Sequence, residues 1–242
     1  MRTLFLSLML ALAPLVDGCK NKPSGAPATA AGPNTPLKEA IAKRQADLDA
    51  IKKRGGVIQV DAEEAGKPVV KADLHGFRDV TAALTTLGPL NKLRELSLYN
   101  TAITDADLER LRELPALSTL NLSATKITDA GLATLQSIPN LHVLSLNNTQ
   151  ISNAGLRYLR DMPYLTDLML YQTRVTDEGM AELKNFPSLQ KLTLGGSAIT
   201  DKGVVRLVGM RQLRELTVLS SKVTNSSLEE LKVASSQLHI TH

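Results

Sequence analysis

The chain has 242 residues, of which 43% are hydrophobic and 21% charged, a globular composition that excludes wholesale disorder. Aromatic residues make up 3% with no Trp, and there is one Cys, so a nucleic-acid platform of stacked rings, a disulfide framework and a thiolate zinc site are all excluded. The net charge of +4 is local: residues 19–56 carry eight basic and three acidic side chains, whereas residues 57–242 are close to neutral and offer no basic stripe for a nucleic acid.

Met1-Arg2 is followed by an apolar run from Leu4 to Val16 that Pro14 interrupts. It is too short to span a bilayer and has the length of a signal-peptide core. Two cleavage sites compete. Ala11-Leu12-Ala13 is an A-x-A site, but Pro14 would follow the cut. Val16-Asp17-Gly18-Cys19 resembles a bacterial lipobox, with Asp17 where that family has a small neutral or hydroxyl residue. The resemblance implies a signal peptide over residues 1–18, lipidation at Cys19 and an exported, envelope-located protein anchored to a membrane. A lone Cys in an exported chain is then accounted for.

Residues 19–36 are rich in Pro, Ala, Gly, Ser and Thr and read as an extended tether. Its basic excess suits an anionic membrane surface, or is simply a solvated linker. Residues 37–68 read as an N-terminal cap. A helix starts near Thr35 with Pro36 in its first turn and Leu37, Ile41, Leu48 and Ile51 on one side. It ends at Gly55-Gly56, and strands follow at Val57–Val60 and Val69–Leu74.

From residue 69 the chain repeats every 24 residues. Leu74, Leu98, Leu122, Leu146, Leu170, Leu194 and Val218 hold one position, and Ala72, Leu96, Leu120, Leu144, Leu168, Leu192 and Leu216 stand two before it. The unit reads L-x-x-L-x-L-x-x-T-x-I-T-D-x-G-L-x-x-L-x-x-L-P-x. L-x-L has the two-residue period of a strand, and Leu132, Leu135 and Ile138 have the spacing of a helix stripe. Thr or Asp caps each helix, Pro115, Pro139, Pro163 and Pro187 end four of them, and the Gly of the first helical turn is a close-packing site between neighbours. A single unit cannot bury both stripes, but stacked copies can.

Seven in-phase copies with this pattern resemble the leucine-rich repeat family, in a variant with Thr or Ser at the ninth position where Asn is usual. The hydroxyl is expected to bond a neighbouring turn's backbone. The resemblance implies an α/β fold over residues 69–242. It is a right-handed solenoid, with one parallel sheet on the concave face and helices on the convex face. A fragment of an eighth copy, Leu238-His239-Ile240, closes it.

No catalytic, metal or cofactor site is expected. His75 and His142 lie three rungs, on the order of 14 Å, apart. Gly195-Gly196-Ser197 matches a phosphate loop in composition alone. The columns flanking the buried leucines are more informative. They are mixed and mostly polar, with Tyr99, Met169, Tyr171 and Leu219 as their large residues. The expected site for a protein or peptide partner is this face, at Tyr99, Asp167, Met169, Tyr171, Lys191, Gly195, Glu215 and Leu219. Gly195 should leave a notch between Tyr171 and Leu219. The rival is a structural or self-associating envelope protein, with Leu238–Thr241 as an exposed edge strand.

Overall fold

Strand side chains alternate, so the L-x-L pair of each repeat must leave the solvent together. The structure, a computed structural model, describes residues 35–63, 68–87, 90–196 and 198–242. The chain divides into two compact units, Met1–Glu39 and Ala40–His242, and the second holds the repeats. The leader, Cys19 and the tether up to residue 34 lie outside the described residues, as does Ser197.

Helix α1 (Thr35–Lys53) ends where expected, with Gly55 at φ +93, a left-handed conformation that glycine adopts without a Cβ penalty. Leu48 and Ile51 are buried, whereas the side chains of Leu37 and Ile41 lie outside the description. Strand β1 (Val57–Val60) pairs antiparallel with β2 (Val69–Asp73). The Arg54 guanidinium sits 5.1 Å over the Phe77 ring, and Phe77 is itself buried.

From β2 onward one strand and one helical segment alternate. Helix α2 (Val80–Leu87) precedes β3 (Glu95–Ser97), a 3-10 helix (Asp105–Glu113) and β4 (Thr119–Asn121). Then come α3 (Asp129–Leu135), β5 (Val143–Ser145), α4 (Asn153–Leu159), β6 (Asp167–Met169), α5 (Met180–Leu183) and β7 (Lys191–Gly195). The last elements are α6 (Asp201–Val205), β8 (Glu215–Leu219), α7 (Asn225–Ala234) and β9 (His239–Thr241). Among the described residues nine strands form one sheet in chain order, and β2 to β9 pair parallel. Every parallel register joins equivalent repeat positions: Leu96 faces Leu120, Leu120 faces Leu144, and Leu144 faces Leu168.

The expected columns are the core. Leu98, Leu122, Leu146, Leu170 and Leu194 are 0% exposed, and so are Ile103, Ile127, Ile151, Val175 and Ile199. A fully buried side chain of this size contributes about 1.5–3 kcal/mol, so the stack needs no large aromatics. At the last repeat Val223 and Ile240 are only partly buried, because no further repeat among the described residues covers them.

Strands β3 to β6 centre on the first leucine of L-x-L, one residue earlier than the middle of the pair, because the chain turns sharply after it, whereas β7 and β8 centre on the middle. The eighth repeat position is left-handed in copy after copy: Gly76, Asn100, Ala124, Asn148, Gln172, Gly196 and Ser220 all have φ between 51 and 70. The ladder nevertheless continues through the turn, with Asn100 N–H donating to Ser123 O at 3.0 Å and Ala124 N–H to Asn147 O at 2.8 Å.

Two expectations about the hydroxyls need correction. The ninth-position threonines do not reach a neighbouring turn. Thr101, Thr125, Thr149 and Thr173 donate to Leu98, Leu122, Leu146 and Leu170 carbonyls three residues back, closing their own turn. The link between repeats belongs to the Asp of each T-D pair, which the pattern marks only as a helix start. Asp129 accepts from the Ser152 N–H at 2.8 Å and its hydroxyl at 2.5 Å. Asp105 does the same to Thr128, Asp177 to Thr200 and Asp201 to Thr224. Asn153 takes the same place with its amide turned: Oδ1 accepts from Thr176 N–H and Nδ2 donates to the Thr176 hydroxyl.

This ladder explains the recurring glycine. A Cβ on Gly131, Gly155, Gly179 or Gly203 would run into the side-chain oxygen of Asp105, Asp129, Asn153 or Asp177 of the preceding repeat. The expected close-packing site is therefore real, and its neighbour is the ladder side chain. In the last repeat Ser227 occupies this position, and its hydroxyl donates to Asp201 at 2.6 Å.

Candidate partner-binding face

The parallel register stacks like positions of successive repeats into columns about 4.8 Å apart. The third position puts Asp167, Lys191 and Glu215 side by side on β6, β7 and β8. The fifth puts Met169 beside Thr193 and Thr217. These six residues, over Leu168 and Leu192, line a hollow of about 160 Å³. Lys191 Nζ lies 2.9 Å from Glu215 Oε1, with both side chains 51% exposed. The hydrogen bond and charge of Glu215 hold the lysine pKa above its ordinary value, and Asp167 on the other side adds to this. Asp167 Oδ2 accepts from the Thr166 hydroxyl at 2.6 Å.

Lys71 and Glu95 repeat the same ion pair at 2.7 Å on β2 and β3. Glu95 likewise raises the Lys71 pKa. Between the two pairs, strands β4 and β5 bring no charged side chain to the face, and part of it is already occupied by its own bonds. Ser123 and Ser145 hydroxyls lie 2.7 Å apart and are buried, and Asn147 Oδ1 accepts from the Tyr171 N–H at 2.8 Å.

Four of the eight expected partner-binding residues, Asp167, Met169, Lys191 and Glu215, meet in the hollow. Tyr99, Tyr171, Gly195 and Leu219 do not line it. Tyr99 and Leu219 are 47% and 42% exposed in the seventh column, and Tyr171 is half-buried. The expected notch at Gly195 does not form. Strands β7 and β8 have five residues against three in β3 to β6, and they pair as far as Gly195 with Leu219. Gly195 has φ +145 and is buried, so near the Leu219 carbonyl that a Cβ would strike it. A missing side chain here lets two backbones close up instead of opening a gap. The depression falls one column away, where Thr193 and Thr217 are small. Their part follows from the column alignment of the sequence.

A second hollow, on the helix-to-strand turns, is lined by Gln136, Ile138, Pro139, Leu141, Met162, Pro163 and Tyr164. The Tyr164 ring stacks on His142 with centroids 5.8 Å apart. It carries no charged group. Among the described residues no three His, Cys, Asp or Glu side chains gather as metal ligands would, and no helix is long and apolar enough to cross a membrane.

One parallel sheet with a helical segment after most strands, built from 24-residue units with invariant register, defines an α/β leucine-rich-repeat solenoid. Residues 91–134 match the family model for two leucine-rich repeats, and residues 187–208 match a model for a single one. Among solved structures the chain is similar to internalin C2 from Listeria monocytogenes, at 23% identity and a TM-score of 0.53, over 72% of this chain and 80% of that one. That likeness concerns the fold. No curated protein matches the sequence.

Proposed function

We propose that this chain is a non-enzymatic, exported lipoprotein that holds a protein or peptide partner on the sheet face of its repeats. Solenoids of this kind typically serve as protein-binding scaffolds, because stacking exposes long side-chain columns that no single repeat could organise. The observation that carries the proposal is the hollow on β6 to β8, where ionic, hydroxyl and thioether groups from three repeats converge. Its volume of about 160 Å³ lies below the roughly 300–1,000 Å³ of small-molecule sites, and matches one side chain of a larger partner. The lipobox-like Val16–Cys19 and the Pro-rich tether support an anchor at Cys19 that displays the repeats at an envelope membrane.

Capture from a detergent-solubilised envelope extract tests this. Replacing Met169 and Thr217 by Ala should weaken retention of a saturable partner by about thirtyfold, the loss typical of a hot spot. Replacing Lys71 and Glu95, the matching ion pair at the other end of the face, should leave it unchanged. Equal retention by both variants at equal melting temperature would place the site elsewhere. Ordered self-assembly with no saturable partner would favour the structural alternative. Among the described residues the outer edge of the three-residue strand β9 pairs with no further strand and offers a surface for that.

A further inference from the structure

We infer that the hollow on β6 to β8 receives a cationic side chain, a lysine or arginine of an extended partner segment. The inference rests on the sheet face being the docking surface and adds the chemistry of the group it takes. Three observations carry it. First, the third column reads Asp167, Lys191, Glu215, so two carboxylates flank one ammonium group and the hollow keeps one negative charge in excess.

Second, the acceptors outnumber the donors. Glu215 gives one oxygen to Lys191, and Asp167 gives one to Thr166. Glu215 Oε2 and Asp167 Oδ1 have no hydrogen bond among the described residues, and the Thr193 and Thr217 hydroxyls can also accept. A guanidinium or ammonium brings only donors. A partner carboxylate would meet two like charges and a lysine already engaged, and an apolar side chain would desolvate these groups without pairing them.

Third, Met169 offers a flexible, polarisable thioether for the methylene stem of a lysine or arginine. Asp73 supplies a second carboxylate near the Lys71–Glu95 pair, but the fifth column there holds Asp73 and Ser97 with no methionine, and the pair does not line this hollow. Lys191 then acts as an internal competitor. It neutralises Glu215 in the free protein and must share that carboxylate when a second cation arrives.

The test uses the whole chain with Met methyl groups labelled with carbon-13, so that Met169 reports from inside the hollow. The probes are capped pentapeptides Gly-Ser-X-Ser-Gly with X as Arg, Lys, norleucine or Glu. The Arg and Lys peptides should shift the Met169 methyl in a saturable way, and the other two should not. Asp167→Asn should weaken the Arg peptide about fivefold, and Lys191→Met should tighten it by a similar factor. Preference for the Glu or norleucine peptide, or tightening in Asp167→Asn, would overturn the cationic occupant while leaving the face as a docking surface. No shift with any peptide would also overturn it, and capture of the natural partner would then decide the docking surface separately.

Discussion

Removing the Asp129 carboxylate isolates the ladder that joins one repeat to the next. Asp129 holds both the amide and the hydroxyl of Ser152, at 2.8 and 2.5 Å, and that hydroxyl in turn accepts from Ala154 N–H as the cap of α4. A hydrogen bond to a charged group contributes about 1.5–3 kcal/mol, and a partly buried amide left unpaired costs a further share. Discounting for partial exposure, Asp129→Ala should destabilise by roughly 2–4 kcal/mol, a fall in melting temperature of about 5–15 °C for a chain this long. Asp129→Asn should cost under about 1 kcal/mol, because Asn153 already performs the same task one repeat later.

Gly155→Ala supplies the cross-check. On helix propensity alone it would gain about 0.5–1 kcal/mol. Its new Cβ instead meets the Asp129 carboxylate and comes within 3.0 Å of Leu132 Cδ1, so it should cost about 1–3 kcal/mol. In the double variant Asp129→Ala, Gly155→Ala the clash with Asp129 vanishes. The two effects should sum to less than their parts by about 1 kcal/mol or more. Thermal and urea melts followed by circular dichroism read the totals, and hydrogen exchange at the Ser152 amide reads the local bond. Strict additivity, or an Asp129→Ala variant as stable as the parent, would refute the ladder.

Three further expectations follow from the same structure. Ala124 sits at φ +57 in a column where Asn100 and Asn148 adopt the same conformation, so Ala124→Asn should raise stability by about 0.5–1 kcal/mol, and a lower melting temperature would contradict it. The Asp201 carboxyl is held below its usual range by the Ser227 hydroxyl and the Thr224 amide. A folded pKa below the unfolded one stabilises fully above the ordinary carboxylate pKa near 4, and that stability is lost as pH falls through the lower folded value. Asp201→Asn should therefore flatten the acid limb of a melting curve taken from pH 6 to pH 2, and an unchanged limb would remove Asp201 from acid unfolding. At the N-terminus, Cys19→Ala should block processing or release the protein from the membrane, and intact mass showing a free thiol at residue 19 would exclude the anchor.

The repeat phase, the buried columns and the strand pairing were legible because a 24-residue step with no insertion leaves one register that buries every L-x-L. The glycine of the first helical turn was legible as a packing site. Its partner was not, since the Asp of a T-D pair looks the same whether it caps its own helix or reaches the next repeat. The left-handed column was half hidden. Asn100, Asn148 and Gly196 suit it, but Ala124 and Gln172 take it only because the turns on either side hold them there. Gly195 misled for a related reason. A glycine in a strand signals either a gap or a close backbone approach, and only the longer pairing of β7 with β8 decides for the second.

The central claim is that β6 to β8 form the partner surface, and site-specific photocrosslinking in intact envelopes tests it most directly. A photoreactive residue at Thr193, inside the hollow, should give one discrete adduct, which excess Arg-bearing pentapeptide diminishes. The same residue at Tyr158, exposed on the helix side, should give none. An adduct from Tyr158 with none from Thr193 would contradict the account and move the interaction to the opposite face.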